Sequence, residues 1–302
     1  MHFFYKLGLG LWVALMSVTG HAGYAFNLPE PVTPIARETL HMHNLVMVVI
    51  LFLFFAVFAM LIYSFYTHRK AVGHKAATFT GPTNRKQWLW ALSPFALLFV
   101  IDYGVFGIPA YHAVVLYEDT KTDADLVVKV TGSQWMWQYD FPSEGVSYTS
   151  RLVTPRDQID SGAAKGAHYL LEVDNPLVLP VGKKVRFITT SNDVIHSWWV
   201  PAFGVKRDAV PGFLREFWAT VEKTGTYRGQ CSELCGKEHG FMPVVVNVVS
   251  QQEFAAWLVS KKQAAAAAAA PVETPVATPA PAAAQAEPAP AKAVVVAKSV
   301  AQ

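Results

Sequence analysis

Gly229-Gln-Cys231-Ser-Glu233-Leu-Cys235-Gly-Lys-Glu-His239-Gly-Phe-Met242-Pro243 is the stretch on which the reading of this chain turns. It holds both cysteines of the molecule, a histidine and a methionine. A second histidine stands upstream in Asn-Asp-Val-Ile-His196-Ser-Trp-Trp-Val-Pro. Two thiolates, two imidazoles and a thioether form a soft ligand set of the kind that suits copper.

A histidine on one strand joined to a Cys, His, Met loop further along is how blue-copper sites are assembled in β-sandwiches, with the thioether as a weak axial ligand. A single copper needs one thiolate in that arrangement, whereas two cysteines four apart on one loop can bridge a pair of ions. A disulfide between Cys231 and Cys235 is the plain alternative, because exported proteins commonly oxidise neighbouring cysteines. It would give His196 no role and leave the spacing of His239 and Met242 to accident.

Of the 302 residues, 52% are hydrophobic and the mean hydropathy is +0.26, which points away from an ordinary soluble enzyme and towards membrane attachment. Net charge is only +3, and its segregation along the chain matters more than its sum. No nucleic-acid partner is expected.

Residues 1–25 read as a secretory signal: Lys6 supplies the positive n-region, Leu7 to Val18 the apolar core, and Ala22 or Ala25 closes a small-residue cleavage site. Residues 26–44, with Pro29, Pro31 and Pro34, are then expected to form an extended mature N-terminus. Residues 45–66 contain no charged side chain and, at about 1.5 Å per residue, are long enough to cross a hydrocarbon core of roughly 30 Å. The loop 67–88 carries Arg69, Lys70, Lys75, Arg85 and Lys86 and no acid, which places it on the cytoplasmic side. Residues 89–117 form the second span, bordered by Trp88, Trp90 and Tyr117 at headgroup depth. The N-terminus and everything beyond residue 117 therefore face outwards, in contact with lipid only through the two spans. Asp102 lies near the middle of the second span, where an ionised carboxylate costs at least about 2.5 kcal/mol. It is either a proton-handling group against a partner subunit or a neutral acid hydrogen-bonded between helices.

Residues 118–262 form the globular domain. Segments 126–130, 168–173, 184–190, 214–219 and 244–248 alternate in polarity as strands do and are separated by Asp, Asn, Gly and Pro clusters. Many short strands so punctuated predict a sandwich. Ser250-x-x-Glu253 before an apolar run is a capping box that opens a short terminal helix. Residues 263–302, an alanine run followed by alternating Ala and Pro, are expected to be a disordered tail. No cysteine follows Cys235, so no Cys-x-x-Cys-His haem attachment occurs there and no haem is expected on this chain.

Cys231-x3-Cys235-x3-His239-x2-Met242 with upstream His196 resembles the dinuclear copper centre called CuA. The segments Leu-Glu-Val-Asp174-Asn, His196 to Pro201, Lys206-x-Asp208-Ala-x-Pro-Gly and Gln134-Trp135-x-Trp137 are similar to subunit II of haem-copper cytochrome c oxidases, and the likeness covers roughly residues 40–260. The resemblance implies an α+β membrane protein, a two-helix transmembrane hairpin followed by a cupredoxin-like β-sandwich. It implies a bacterial inner-membrane location with the copper domain on the periplasmic side. The expected activity belongs to an oxidoreductase and translocase: electrons pass from cytochrome c to haem in subunit I, where oxygen is reduced, and this chain alone has no oxygen-reducing site. A CuA module of a nitric or nitrous oxide reductase and a membrane-tethered copper-delivery protein are the alternatives.

By the same resemblance, Cys231 and Cys235 bridge two copper ions, His196 and His239 each cap one, and Met242 is a weak ligand. The Glu233 backbone carbonyl completes the other copper, while its side chain points to a magnesium ion shared with subunit I. Trp135 is implied as the point where electrons arrive, although alternation along one strand would put Trp135 and Trp137 on the same face. Asp140, Asp174 and Asp193 occupy places where the family presents acids to cytochrome c. This chain departs from the family in having Ser133 and Met136 around Trp135 where His and Tyr are commoner. It also has Gln87 where relatives commonly carry a glutamate at the mouth of a proton channel. If that route is used, Gln87→Glu is expected to raise turnover of the assembled oxidase.

Overall fold

The computed structural model describes residues 27–75, 81–120 and 122–269. The expected signal at 1–25 and the tail beyond residue 269 lie outside them. Helix α1 runs over Pro34–Thr67 and so begins inside the stretch expected to be extended. The reason is local: Pro34 takes the first helical position, where a missing N–H costs nothing, and the Thr33 hydroxyl accepts from the Ala36 amide at 3.0 Å. That buried hydroxyl also donates to the Phe203 carbonyl at 2.7 Å. Val32 bonds through its backbone to Ala202 and Glu222 at 3.3 and 2.9 Å. The start of the first span is thereby stitched into the globular domain, with Val32 and Ile35 in its core. Gly204, at φ +68°, permits this approach, since a Cβ there would stand 2.5 Å from the Ala36 Cα.

The second span is one rod, Arg85–Glu118, built from α2 (Arg85–Phe99), a π-helical stretch Val100–Phe106 and α3 (Gly107–Glu118). Asn84 caps it by accepting from the Gln87 amide at 3.1 Å, and the Gln87 side chain reaches back to accept from the Thr83 amide at 2.6 Å. Gln87 therefore has a structural task as half of a capping arrangement. Asp102 lies in the π-helical stretch. The rod ends against the sandwich, where Trp218 Nε1 donates to the Leu116 carbonyl at 2.8 Å and the Arg207 guanidinium lies 5.0 Å from the Tyr117 ring centre.

Ten strands form two five-stranded sheets. The first has the order β3-β2-β1-β5-β8 and the second β4-β10-β9-β6-β7. Their ranges are β1 Leu126–Ser133, β2 Met136–Phe141, β3 Val146–Ser150, β4 Leu177–Pro180, β5 Lys184–Ser191, β6 His196–Val200, β7 Val205–Ala209, β8 Arg215–Thr220, β9 Gly225–Cys231 and β10 Pro243–Val249. In β5 every second residue is buried, the signature of a strand with one face on a core. Phe187 and Phe217 stack at 4.5 Å and Trp198 lies 5.5 Å from Phe217, so both sheets contribute to one aromatic centre.

Two expectations need correction. Residues 168–173 are not a strand: the chain turns there, with Leu170 at φ +61°, and only Val173 makes an isolated bridge to Leu152. This stretch belongs to the long β3–β4 connection, which also holds the short helix α4 (Arg156–Asp160). Its half-buried residues show the apolar–polar pattern of a strand without a sheet partner along its length. The terminal helix α5 covers Gln251–Ala269, so residues 263–269 are helical. Once Ser250 and Glu253 have capped and nucleated the helix, alanine extends it more readily than any other residue.

Candidate metal centre

Strand pairing brings the two halves of the site together. β6 and β9 are antiparallel neighbours with Trp198 opposite Cys231, so the start of β6, where His196 stands, lies beside the end of β9. The loop from Cys231 passes through Cys235 and a short 3-10 turn, His239–Phe241, before Met242 enters β10. Cys231 Sγ lies 3.9 Å from His196 Nδ1, 3.8 Å from Cys235 Sγ and 3.4 Å from the Glu233 carbonyl oxygen. Cys235 Sγ lies 3.4 Å from His239 Nδ1 and 3.5 Å from Met242 Sδ. Both cysteines are free thiols. His196, Cys231 and Cys235 are buried, and their ligand atoms all fall within 4.8 Å of one another. Soft sulfur and imidazole donors converging on one buried point fit copper.

The two thiols are not equivalent. Burial is the largest single influence on Cys231 and opposes its ionisation, but hydrogen bonds from the His196 imidazole, the Ser197 and Glu233 backbone and Cys235 together outweigh it and the pKa is lowered. At Cys235, burial and the adjacent Cys231 thiolate act together and push the pKa up to about 12. A metal that requires both thiolates must therefore displace a proton on binding.

The surroundings hold these donors in place. His196 fits because β1 carries Gly132 opposite it; a Cβ there would come within 2.8 Å of the imidazole. Sequence offered little to single out Gly132 beyond the oddity of glycine inside a strand. Trp137 is fully buried and its Nε1 donates to the Met242 carbonyl at 3.2 Å. Trp135 sits in the turn between β1 and β2, half-buried, and donates to the Cys235 carbonyl at 3.2 Å; Gln134 Nε2 donates to the same oxygen at 2.9 Å. The two tryptophans are thus separated by a turn, so strand alternation does not apply to them. Each secures a different part of the loop.

Glu233 is exposed at the loop crest. Asp193 is drawn into the site, with Oδ1 2.9 Å from His196 Nε2. Asp174 accepts from the Arg151 and Asn175 amides at 2.7 Å, and Arg151 contacts the Met136 sulfur at 3.2 Å, which puts this acid beside the Trp135 turn. Asp140 lies further along β2, bonded to Gln138 and Ser147. Four residues beyond Met136, it is about 13 Å along the strand from that turn.

A two-helix anchor of membrane-spanning length carrying a sandwich with a buried sulfur and imidazole cluster defines a membrane-anchored, cupredoxin-like metal domain. Residues 126–249 match the family described as cytochrome C oxidase subunit II, periplasmic domain, and residues 22–108 match cytochrome C oxidase subunit II, transmembrane domain. A cytochrome c oxidase subunit 2 from Cereibacter sphaeroides is 35% identical over 240 residues, covering 75% of this chain and 77% of that one. A probable cytochrome c oxidase subunit 2 from Rickettsia bellii is 40% identical over 179 residues, covering 59% of this chain and 62% of that one. Among solved structures, the periplasmic domain of subunit II of cytochrome oxidase from Bradyrhizobium japonicum is 45% identical with a TM-score of 0.42, covering 47% of this chain and 96% of that one. The chain belongs to the cytochrome c oxidase subunit II family. It is a subunit of a haem-copper oxidoreductase complex that includes subunit I, and neither the reductase module nor the copper-delivery reading is favoured.

Proposed function

We propose that this chain takes electrons one at a time from cytochrome c at a dinuclear copper centre and passes them to haem in subunit I, from the periplasmic side of a bacterial inner membrane. The residues that would hold the metal are Cys231 and Cys235 as bridges, His196 and His239 as caps, Met242 as a weak ligand and the Glu233 carbonyl opposite it. When bound, such a copper pair supplies reversible one-electron redox chemistry. The observation that supports this reading most is the convergence of four groups, the His196 and His239 imidazoles, the Met242 thioether and the Glu233 carbonyl, on two cysteine sulfurs that are themselves 3.8 Å apart, all at 3.4 to 3.9 Å.

The protein's contribution is rigidity. Indole and carboxamide donors clamp the loop carbonyls of Cys235 and Met242, and burial excludes water from His196 and both thiols. Ligands held this firmly move little when charge changes, which favours transfer over bond-making. Trp135, half in solvent and bonded to the Cys235 backbone, offers the donor a short route to the site. The exposed Glu233 carboxylate is available to a hard cation such as magnesium at the border with subunit I. Asp174 beside Trp135 is well placed to greet a basic donor, while Asp140 stands farther off. In this reading residues 1–25 direct export and the loop 67–88 stays in the cytoplasm.

The test is metal analysis and EPR of the full chain in detergent, loaded with copper. Two coppers per chain sharing one unpaired electron, with hyperfine coupling from both nuclei, is the expected result. A single-copper signal, or a Cys231–Cys235 disulfide without colour, would remove the dinuclear assignment.

A further inference from the structure

We propose that the outer ends of α1 and α3 form a binding site for one phospholipid with a primary-ammonium headgroup, in the leaflet nearest the sandwich. Two adjoining cavities, of about 310 and 440 Å³, lie between these helix ends and share Glu38 and Leu116 as walls. Their lining changes along the helices in the order in which a lipid changes along its length. Glu118 and Glu38 stand at the mouth, His41 and His112 come next inward, and Ile108 and Pro109 close the deep end. Glu118 and Pro109 are about 13 Å apart along α3 at 1.5 Å per residue. With Tyr117 marking headgroup depth, the groove therefore runs from the interface into hydrocarbon.

The charges at the mouth select the headgroup. Glu38 and Glu118 line one cavity and form no ion pair among the described residues. Two carboxylates facing one space repel each other, and an ammonium with three N–H donors relieves both. The phosphate has its counterpart on the sandwich. In β7, Arg207 shares the inward face with buried Val205 and Ala209, and its guanidinium lies 5.0 Å from the ring centre of Tyr117, a wall of the same groove. Its Nε is buried without a hydrogen-bond partner among the described residues. A buried N–H without an acceptor is costly, and a phosphodiester matches the guanidinium fork. Arg207 alone would accept any anionic lipid, and the two acids alone any cation; together they fit a zwitterion. A quaternary ammonium has no N–H to give the acids. An extended ligand also suits the spacing better than an ion does, because the donor atoms of Glu38, His41 and His112 do not gather within 4.8 Å as those of His196, Cys231 and Cys235 do.

The experiment is native mass spectrometry of the full chain in detergent, offered equal amounts of phosphatidylethanolamine, phosphatidylcholine and phosphatidylglycerol with identical acyl chains. Wild type is expected to retain one phosphatidylethanolamine with about tenfold preference over either competitor, the scale of one charge-assisted hydrogen bond. Glu38→Gln combined with Glu118→Gln should erase the preference over phosphatidylcholine. Arg207→Gln should lower retention of all three lipids, whereas Phe52→Ala, on an exposed part of α1, should change nothing. Near-UV circular dichroism checks that each variant keeps its fold. If Arg207→Gln disturbs it, Arg207→Lys, which keeps the charge without the planar fork, should still weaken retention. Excess inorganic phosphate should not displace the lipid; displacement would point to a free anion and overturn the proposal. Equal retention of the three lipids by wild type, or an unchanged preference in a natively folded double variant, would also overturn it. Stoichiometric zinc bound by wild type and lost in the double variant, without any lipid preference, would replace the lipid site with a metal site. A phosphatidylglycerol preference lost in Arg207→Gln would replace it with a site for anionic headgroups.

Discussion

In the sandwich, Trp137, Trp198, Phe187 and Phe217 are excluded from solvent by their own chain, whereas in the spans Phe52, Leu89 and Trp90 are each more than 70% exposed. The two regions have similar appetites for apolar surroundings and satisfy them differently. The sandwich closes on itself, and its indoles and amides are spent on fixing a loop. The spans leave their apolar faces to lipid and to neighbouring subunits. The site's donors are therefore positioned within this chain, while the described residues of the hairpin bury little of their apolar surface in it. The join between them, at Thr33, Gly204 and Leu116, is where the two regimes meet.

The sharpest way to break this contrast is a matched pair of truncations. Phe217→Ala should cost about 3–5 kcal/mol in denaturant unfolding of the domain, as large-to-small changes in a packed core do. Phe52→Ala should stay within about 0.5 kcal/mol by the same measurement. Equal effects would mean that the hairpin is packed against the sandwich more extensively than its exposure indicates. Next in size is Gly132→Ala: the added methyl meets the His196 ring, so a loss of about 1–3 kcal/mol is expected, accompanied by weaker copper retention that a remote strand substitution does not reproduce. At the join, Thr33→Ala should cost about 1–2 kcal/mol by removing the helix cap and the bond to Phe203, and Thr33→Ser should recover most of it.

The smallest effect is a pH dependence confined to the metal-free site. Burial works against the charge on Asp193, but its bond to His196 and two backbone amides prevail and hold its pKa below the ordinary 3.8. Burial likewise opposes charging of His196, yet Cys231 and Asp193 raise its pKa above 6.5. The carboxylate's contribution is present above 3.8 and fades as pH falls through its lowered value. The imidazolium's is complete below 6.5 and fades as pH rises through its raised one. Metal-free stability should therefore be greatest between those limits, and Asp193→Asn should flatten the acid side of the curve. An acid side that is unchanged in the variant would show that other carboxylates govern it.

The residues proposed as ligands stood out because soft-metal chemistry demands particular side chains at short spacing, and Cys231, Cys235, His239 and Met242 fall in one loop. The spans were legible because a hydrocarbon core demands length without charge. The start of α1 was missed for a related reason: Pro34 looks like a helix breaker until Thr33 is seen to cap the turn it opens. The 168–173 stretch misled because alternating polarity marks half-buried chain, and half-buried chain forms a strand only when another strand is beside it.

By itself the sequence determined which soft donors are available to a site, the existence of two long apolar helices and the division into anchor and sandwich, since each follows from residue type and local order. Tertiary structure alone decided that Trp135 and Trp137 secure different carbonyls, that Gly132 makes room for His196, and that Asp193 turns inward to a histidine. Those outcomes depend on which strand lies opposite which: β6 pairs with β9 in one sheet, β1 and β2 belong to the other, and side-chain bonds between the two sheets join residues about a hundred positions apart. Periodicity along a strand reports which face a side chain takes, not what it will meet there.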